Sequence, residues 1–200
     1  MLQPKYLFFF AVTVALVVVL YLFADREIAT YFDTLDNPDI RHFFKSITHL
    51  GKSEWYLIPS ILLFWYFRKK EHYEYATMAL YVFVTNVVAG LGVWLFKIPF
   101  GRMRPEFYLD EGRYGFEWFE IDADYASFPS GHTITIVSTV VALSLLFPRL
   151  KYLLLPVGAV IAFSRVAVTA HYLSDVIFAS FLGTMVAIAL HRYYFKSKEL

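Results

Sequence analysis

The sequence has no cysteine, which excludes disulfide frameworks, thiolate metal sites and thiol nucleophiles while leaving the compartment open. Charge is scarce as well. Only 18% of the 200 residues are charged and 58% are hydrophobic, against roughly 25% charged and 45 to 50% apolar in a soluble domain. Such a chain is neither disordered nor an ordinary soluble globule. A surplus of basic residues is missing too: the net charge of +1 lacks the positive field with which nucleic-acid binders neutralise phosphates, so no nucleic acid is expected as a partner. Internal repeats, low-complexity tracts and linkers are also lacking, and residues 1–200 read as a single domain.

What the sequence does have is long apolar runs, at about 6–23, 53–67, 75–96, 132–147, 152–168 and 176–194. A helix of about 20 residues crosses a hydrocarbon layer of about 30 Å. The second and fourth runs are short for this and need snorkelling flanks such as Lys52 or a thinned bilayer. The first is long for a secretory signal and is followed by no small-residue cleavage site, so it too reads as a span. The expected fold is therefore all-α: a polytopic membrane protein built as a six-transmembrane-helix bundle.

Lysine and arginine concentrate in short cytoplasmic segments. With the amino terminus inside, the inner segments carry Lys5, Arg68, Lys69, Lys70, Arg149, Lys151, Arg192, Lys196 and Lys198 against Glu71, Glu74 and Glu199, a surplus of six positive charges. The outer side is left with a surplus of five negative charges. Both termini are expected in the cytoplasm, in a plasma or bacterial inner membrane. Two outer segments are long. In 24–52, Ile40, Phe43, Phe44, Ile47 and Leu50 recur at steps of three and four after the cluster Asp36-Asn37-Pro38-Asp39, which predicts an amphipathic helix lying in the headgroup layer. In 98–129, the acids Glu106, Asp110, Glu111, Glu117, Glu120, Asp122 and Asp124 alternate with aromatic residues, which suits an interfacial loop or a lid.

Ionisable groups near the bilayer are costly unless paired or functional. They form three clusters: Lys97 through Arg102, Arg104 and Pro105; Phe128-Pro129-Ser130-Gly131-His132-Thr133; and Ser164-Arg165 through His171 to Asp175. The charge-derived topology places all three on the outer side. Lys97, Arg104 and Arg165 supply fixed positive charge suited to a phosphate dianion. Ser130 and Gly131 stand where a helix begins and free N–H groups can hold an anion. His171 and Asp175, four residues apart, share one face if they lie on a helix, so that the carboxylate would hold one imidazole nitrogen and leave the other free to attack. His132 follows the anion-binding turn and could protonate a leaving oxygen. Each group alone has an ordinary structural role; together they are the parts of phosphoryl transfer. A His-x3-Asp pair can also ligate a metal, but three nearby cations repel one and no further carboxylate completes a shell. His42, His49, His72 and His191 lack comparable neighbours.

Lys97 with six residues before Arg104-Pro105, then Pro129-Ser130-Gly131-His132, then Ser164-Arg165 with five residues before His171 and three before Asp175, resembles the three-part signature of the type 2 phosphatidic acid phosphatase superfamily. The resemblance covers the chain from about Tyr75. It implies an integral membrane phosphatase of lipid phosphates that needs neither metal nor other cofactor. By the same resemblance His171 is the nucleophile that becomes phosphohistidine, Asp175 orients it and His132 serves the leaving oxygen and then water. Lys97, Arg104, Ser130, Gly131 and Arg165 would hold the phosphoryl oxygens. The implied partners are a membrane lipid phosphate and the bilayer, with no obligate protein partner evident and the site facing the periplasm or cell exterior. Phosphatidylglycerol phosphate, phosphatidic acid, undecaprenyl diphosphate and lipid A phosphate all fit, and Glu106, Asp110 and Glu111 lean toward an amine-bearing headgroup such as a glucosamine. The rivals are phosphoryl transfer to a second lipid, and a transporter or flippase that binds anionic headgroups without cleaving them.

Overall fold

In the computed structural model, residues 4–35 and 37–195 are described. Among them the chain is all-α, with one isolated bridge between Arg102 and Phe116. The helices are α1 (Pro4–Phe23), α2 (Asp25–Thr34), α3 (Pro38–Ile47), α4 (Glu54–Lys69), α5 (Tyr73–Gly92), α6 (Trp94–Phe100), α7 (Pro105–Glu111), α8 (Gly131–Leu146), α9 (Lys151–Ala167) and α10 (Leu173–Phe195), with a 3₁₀ turn at Thr48–Gly51. Four stretches are long and apolar enough to cross a membrane: Pro4–Phe23, Tyr73–Phe100, Pro148–Ala167 and Leu173–Phe195. The two runs expected to be short are short, since α4 and α8 each have 16 residues and reach only about 24 Å at 1.5 Å per residue.

Helix α8 is the central element, packed on α5, α9 and α10. Its Ile136 and Val140 meet Ile161, Val166 and Val176 on one side, and Ile134 meets Ala89, Val93 and Ala179 on another. Apolar side chains gain little by leaving lipid, so close approach and polar pairing have to hold such helices together. Both occur. A side chain at Gly183 would stand 2.9 Å from the Ile134 carbonyl oxygen, so only glycine lets α10 sit this close to α8. The Thr139 hydroxyl donates to Asn86 Oδ1 at 3.0 Å, tying α8 to α5. By contrast α1 buries no residue and presents Leu7, Phe8, Val12 and Val19 outward. The ends read as cytoplasmic meet where Arg192 of α10 lies over the Tyr6 ring of α1, 5.1 Å from its centroid.

The outer segment 24–52 holds two helices, not one. The expected amphipathic helix is α3, started by the Asn37 side chain accepting from Ile40 N at 3.1 Å, with Pro38 in its first turn; Asp36 of that cluster, and Lys196, Lys198 and Glu199 of the inner charge count, lie outside the described residues. The extra helix is α2. It is fixed from outside: Ile28 and Phe32 pack against the Ile136–Val140 core. In the second outer segment α7 forms because Pro105 occupies its first turn, and it stops at the left-handed Gly112.

Candidate active site

The first cluster is shaped by one turn. Helix α6 ends at Gly101, whose φ of +51° places a hypothetical Cβ 1.7 Å from the Glu117 carbonyl oxygen. Only glycine fits. The chain then reverses beside the acidic aromatic loop, with Met103 N donating to Gly115 O and Ser127 N to Arg102 O at 3.2 and 3.0 Å. Lys97, buried on α6, donates to the Ala126 carbonyl. Arg104 donates through Nε to Ala123 O at 2.9 Å and through Nη1 to Ala170 O at 3.2 Å, linking the first cluster to the third.

The second cluster caps α8. The Ser130 Oγ accepts from Thr133 N at 3.4 Å, and Ser130 N donates to the Asp175 carbonyl at 3.4 Å. Gly131, the first residue of the helix, has no atom within 4 Å of where a Cβ would stand, so the space before this helix end is open. His132 lies half-buried against the 3₁₀ turn, where a Cβ on Gly51 would approach its own Cβ to 3.0 Å.

In the third cluster Arg165 donates to the Thr48 hydroxyl at 2.7 Å. The Arg165 carbonyl accepts from both Ala170 N at 3.0 Å and His171 N at 3.2 Å, a tight turn that carries His171 back toward the other clusters. His171 lies before α10, not on it, which corrects the expectation of a shared helix face; Asp175 stands in the first turn of α10, with Oδ2 accepting from Tyr172 N at 2.9 Å. The orienting bond also differs from expectation. His171 Nδ1 lies 2.8 Å from the Ser127 carbonyl oxygen but 3.7 Å from Asp175 Oδ2. A carbonyl only accepts, so in the neutral ring the proton sits on Nδ1 and the lone pair on Nε2.

Burial, with the nearby Lys97 and Arg104 charges, pushes the His171 imidazole down to about 3, more than the Asp175 carboxylate pulls it up. The ring thus stays neutral through the mildly acidic range, with the Nε2 lone pair unprotonated. An unfolded histidine gains its proton near pH 6.5, so between these values the unfolded chain holds the extra proton and stability falls as pH falls. Melting temperature should therefore drop more steeply below pH 6.5 in the wild type than in His171→Gln; parallel slopes would contradict the assignment.

Every residue expected at the site is thus carried to the same end of the bundle. The residues that sequence reasoning left without a role are Arg102, Asp25, Ser127 and Ser174. Arg102 is 1% exposed and donates to Asp25 Oδ2 at 2.8 Å, to Ser174 Oγ at 2.6 Å and to Asp175 Oδ1. Burial pulls its pKa down, yet the Asp175 and Asp25 charges carry it above the ordinary value. A third cation between Lys97 and Arg104, and an acid directly after the first apolar run, were the only sequence signals for it.

Beside Arg104 lies a cavity of about 370 Å³ lined by Asp33, Glu106, Asp110, Thr169 and Ala170. Arg104 itself forms part of its lining. The acidic stretch from α7 contributes its carboxylates to the wall.

Comparison with known proteins adds four findings. The PAP2 superfamily model matches residues 75–199. The lipid A 1-phosphatase of Rhizobium johnstonii is 33% identical over 168 residues, spanning 76% of this chain and 69% of that protein. Its counterpart in Rhizobium etli is 34% identical over 170 residues, spanning 76% and 72%. The crystal structure of a transmembrane PAP2 type phosphatidylglycerolphosphate phosphatase from Bacillus subtilis superposes with a TM-score of 0.71 over 98% of both chains, at 20% identity, and so shares the fold.

Proposed function

We propose, from the premise that the chain belongs to the PAP2 superfamily and is an integral membrane lipid phosphate phosphatase, that it hydrolyses the anomeric phosphate of a lipid A-type glycolipid through a phosphohistidine on His171. The observation that carries the mechanism is the state of the three cations. Lys97, Arg104 and Arg165 are bonded to backbone carbonyls or a hydroxyl, and among the described residues none has a carboxylate in ion-pair contact. Cations held by neutral acceptors are available to an anion, and a phosphate dianion displaces such acceptors readily. The N-terminus of α8 at Ser130 and Gly131 adds N–H donors and a favourable dipole.

The chemistry follows from the His171 tautomer. Its Nε2 lone pair attacks phosphorus, and the bond to the lipid oxygen breaks as His132 passes that oxygen a proton. His132 then takes a proton from water, whose oxygen attacks phosphorus and breaks the phosphorus–nitrogen bond, releasing inorganic phosphate and restoring His171. The positive groups stabilise the charge on the three equatorial oxygens at both steps.

The two Rhizobium relatives support lipid A as substrate. So does the cavity beside Arg104: Asp33, Glu106 and Asp110 only accept hydrogen bonds when ionised, which suits a sugar headgroup rich in O–H and N–H donors. The bundle is read as six spans, with α4 and α8 as the short pair and α3 in the headgroup layer. Positive surplus inside then turns the site outward, toward the leaflet in which such a glycolipid would be met.

The test is phosphate release from lipid A 1-phosphate, phosphatidylglycerol phosphate, phosphatidic acid and undecaprenyl diphosphate by the purified protein in micelles. Lipid A should lead the next best by about tenfold or more in kcat/KM, since a headgroup site that pairs donors discriminates strongly. Another lipid in first place overturns the substrate; binding without release favours the transporter; phosphate appearing on an acceptor lipid favours transfer. Activity should also survive chelator and be lost in vanadate, which mimics pentacoordinate phosphorus. Loss in chelator restored by one divalent ion would overturn the metal-free mechanism.

A further inference from the structure

The proposed reaction uses His171 and His132 directly, while Asp25, Arg102 and Asp175 lie buried behind them. Asp25 and Arg102 are each 1% exposed and Asp175 is fully buried. Hiding an arginine and two carboxylates in a membrane domain is expensive, and well-packed apolar residues would hold the elements together as well or better. Stability alone does not explain them.

Their geometry points elsewhere. Asp25 Oδ1 accepts from Ser174 N at 3.0 Å, and Oδ2 accepts from Arg102 Nη2 at 2.8 Å and from the Ser174 hydroxyl. Ser174 N is one of the free donors in the first turn of α10. Asp25 of α2 therefore caps α10 from outside, one residue before Asp175 and three after His171. Arg102 takes the other side. It holds Asp175 Oδ1, so that Oδ2 is the oxygen left to Ser127 Oγ at 2.6 Å, to Tyr172 N and to the edge of His171. The guanidinium is itself boxed, 4.5 Å from the Tyr172 ring centroid and 5.1 Å from that of Tyr21. Its charge is shared: with Asp25 present, Arg102 does not neutralise Asp175 alone, and the cluster keeps one net negative charge beside the histidine.

We propose that Asp25 and Arg102 are positioning residues for phosphoryl transfer: they fix the carboxylate of Asp175 and the first turn of α10, and through these the attacking imidazole. The proposal rests on His171 as nucleophile. It also makes the amino-terminal helices part of the machinery, since Asp25 lies outside the 75–199 span that defines the family.

The test compares Asp25→Asn, which keeps the shape and removes the charge, Arg102→Lys, the double variant Asp25→Asn/Arg102→Lys and His171→Ala, all purified in micelles. In Asp25→Asn and Arg102→Lys, kcat should fall roughly 10²-fold, the scale of a 1 Å misplacement, with KM within about twofold because no phosphate contact is lost. The double variant should be no worse than about the worse single one, because the two act as a unit. A purely structural role predicts a lower melting temperature with wild-type kcat per folded molecule. That result, with His171→Ala inactive, overturns the inference and leaves the nucleophile standing. An active His171→Ala overturns the parent reading instead. Should Arg102→Lys fail to accumulate as folded protein, the isosteric Asp25→Asn decides by the same criterion.

Discussion

Replacing His171 with alanine lowers kcat for phosphate release by roughly 10⁴-fold or more, the scale of losing a covalent nucleophile, while the protein still inserts and folds. The activity loss follows from chemistry that no neighbour can take over. His132 stands on a different element, the first turn of α8, and Lys97 is held by the Ala126 carbonyl. Folding survives because the lost interactions are few. The imidazole bonds to the Ser127 carbonyl at 2.8 Å, and the Arg165 carbonyl still accepts from the backbone at residue 171. Leaving one buried carbonyl without its partner costs about 1–3 kcal/mol, within the stability of an ordinary domain. Quenching in alkaline detergent, where a phosphorus–nitrogen bond survives, with substrate labelled on phosphorus should trap label on the wild type and none on His171→Ala. Substantial turnover by a folded His171→Ala protein, or label on a different residue, would sink the assignment.

How much of this was legible before the structure differs from element to element. The long apolar runs declare themselves because burial in lipid demands length, and the shortness of α4 and α8 is visible by counting. Helix α3 is announced by its Asn37-Pro38 start and its three-four spacing. Helix α2 is not, because ten residues with two apolar anchors depend on the α8–α9 surface they meet. At the site, the residue types and intervals bring out Lys97, Arg104, Ser130, Gly131, His132, Arg165, His171 and Asp175, since each chemistry requires a particular side chain. Backbone acceptors leave no such trace. Ser127 holds the His171 ring through its carbonyl, which any residue could supply, so the spacing of His171 and Asp175 suggests a direct bond that the chain does not make. Asp25 was hidden for a different reason: its partners are 77 and 149 residues away, and no local pattern records such a pairing.

Asparagine at position 175 should lower kcat by roughly 10³-fold, less than the loss of His171, with KM nearly unchanged. The carboxylate does not set the tautomer here, because the Ser127 carbonyl already holds the proton on Nδ1. Its contribution is charge. Once Nε2 bonds to phosphorus the ring becomes cationic in a buried pocket that already holds Lys97, Arg104 and Arg165. A carboxylate 3.7 Å from Nδ1 offsets that charge. At an effective dielectric of about 20, two unit charges about 4 Å apart interact by about 4 kcal/mol, and about 1.4 kcal/mol corresponds to tenfold in rate. The loss falls on the transition state and the phosphoenzyme, not on substrate binding, so it belongs in kcat. The variant should also be less stable, since Arg102 keeps only Asp25 as a counter-charge and the carboxamide nitrogen meets donors at Ser127 or Tyr172. Breaking one side of a buried ion pair costs about 3–5 kcal/mol. Rate per folded molecule and melting temperature should therefore be measured together. A folded Asp175→Asn enzyme with wild-type kcat would show that the positive pocket tolerates the imidazolium without the carboxylate. A loss as deep as that of His171→Ala would show instead that Asp175 takes over the Nδ1 proton during turnover.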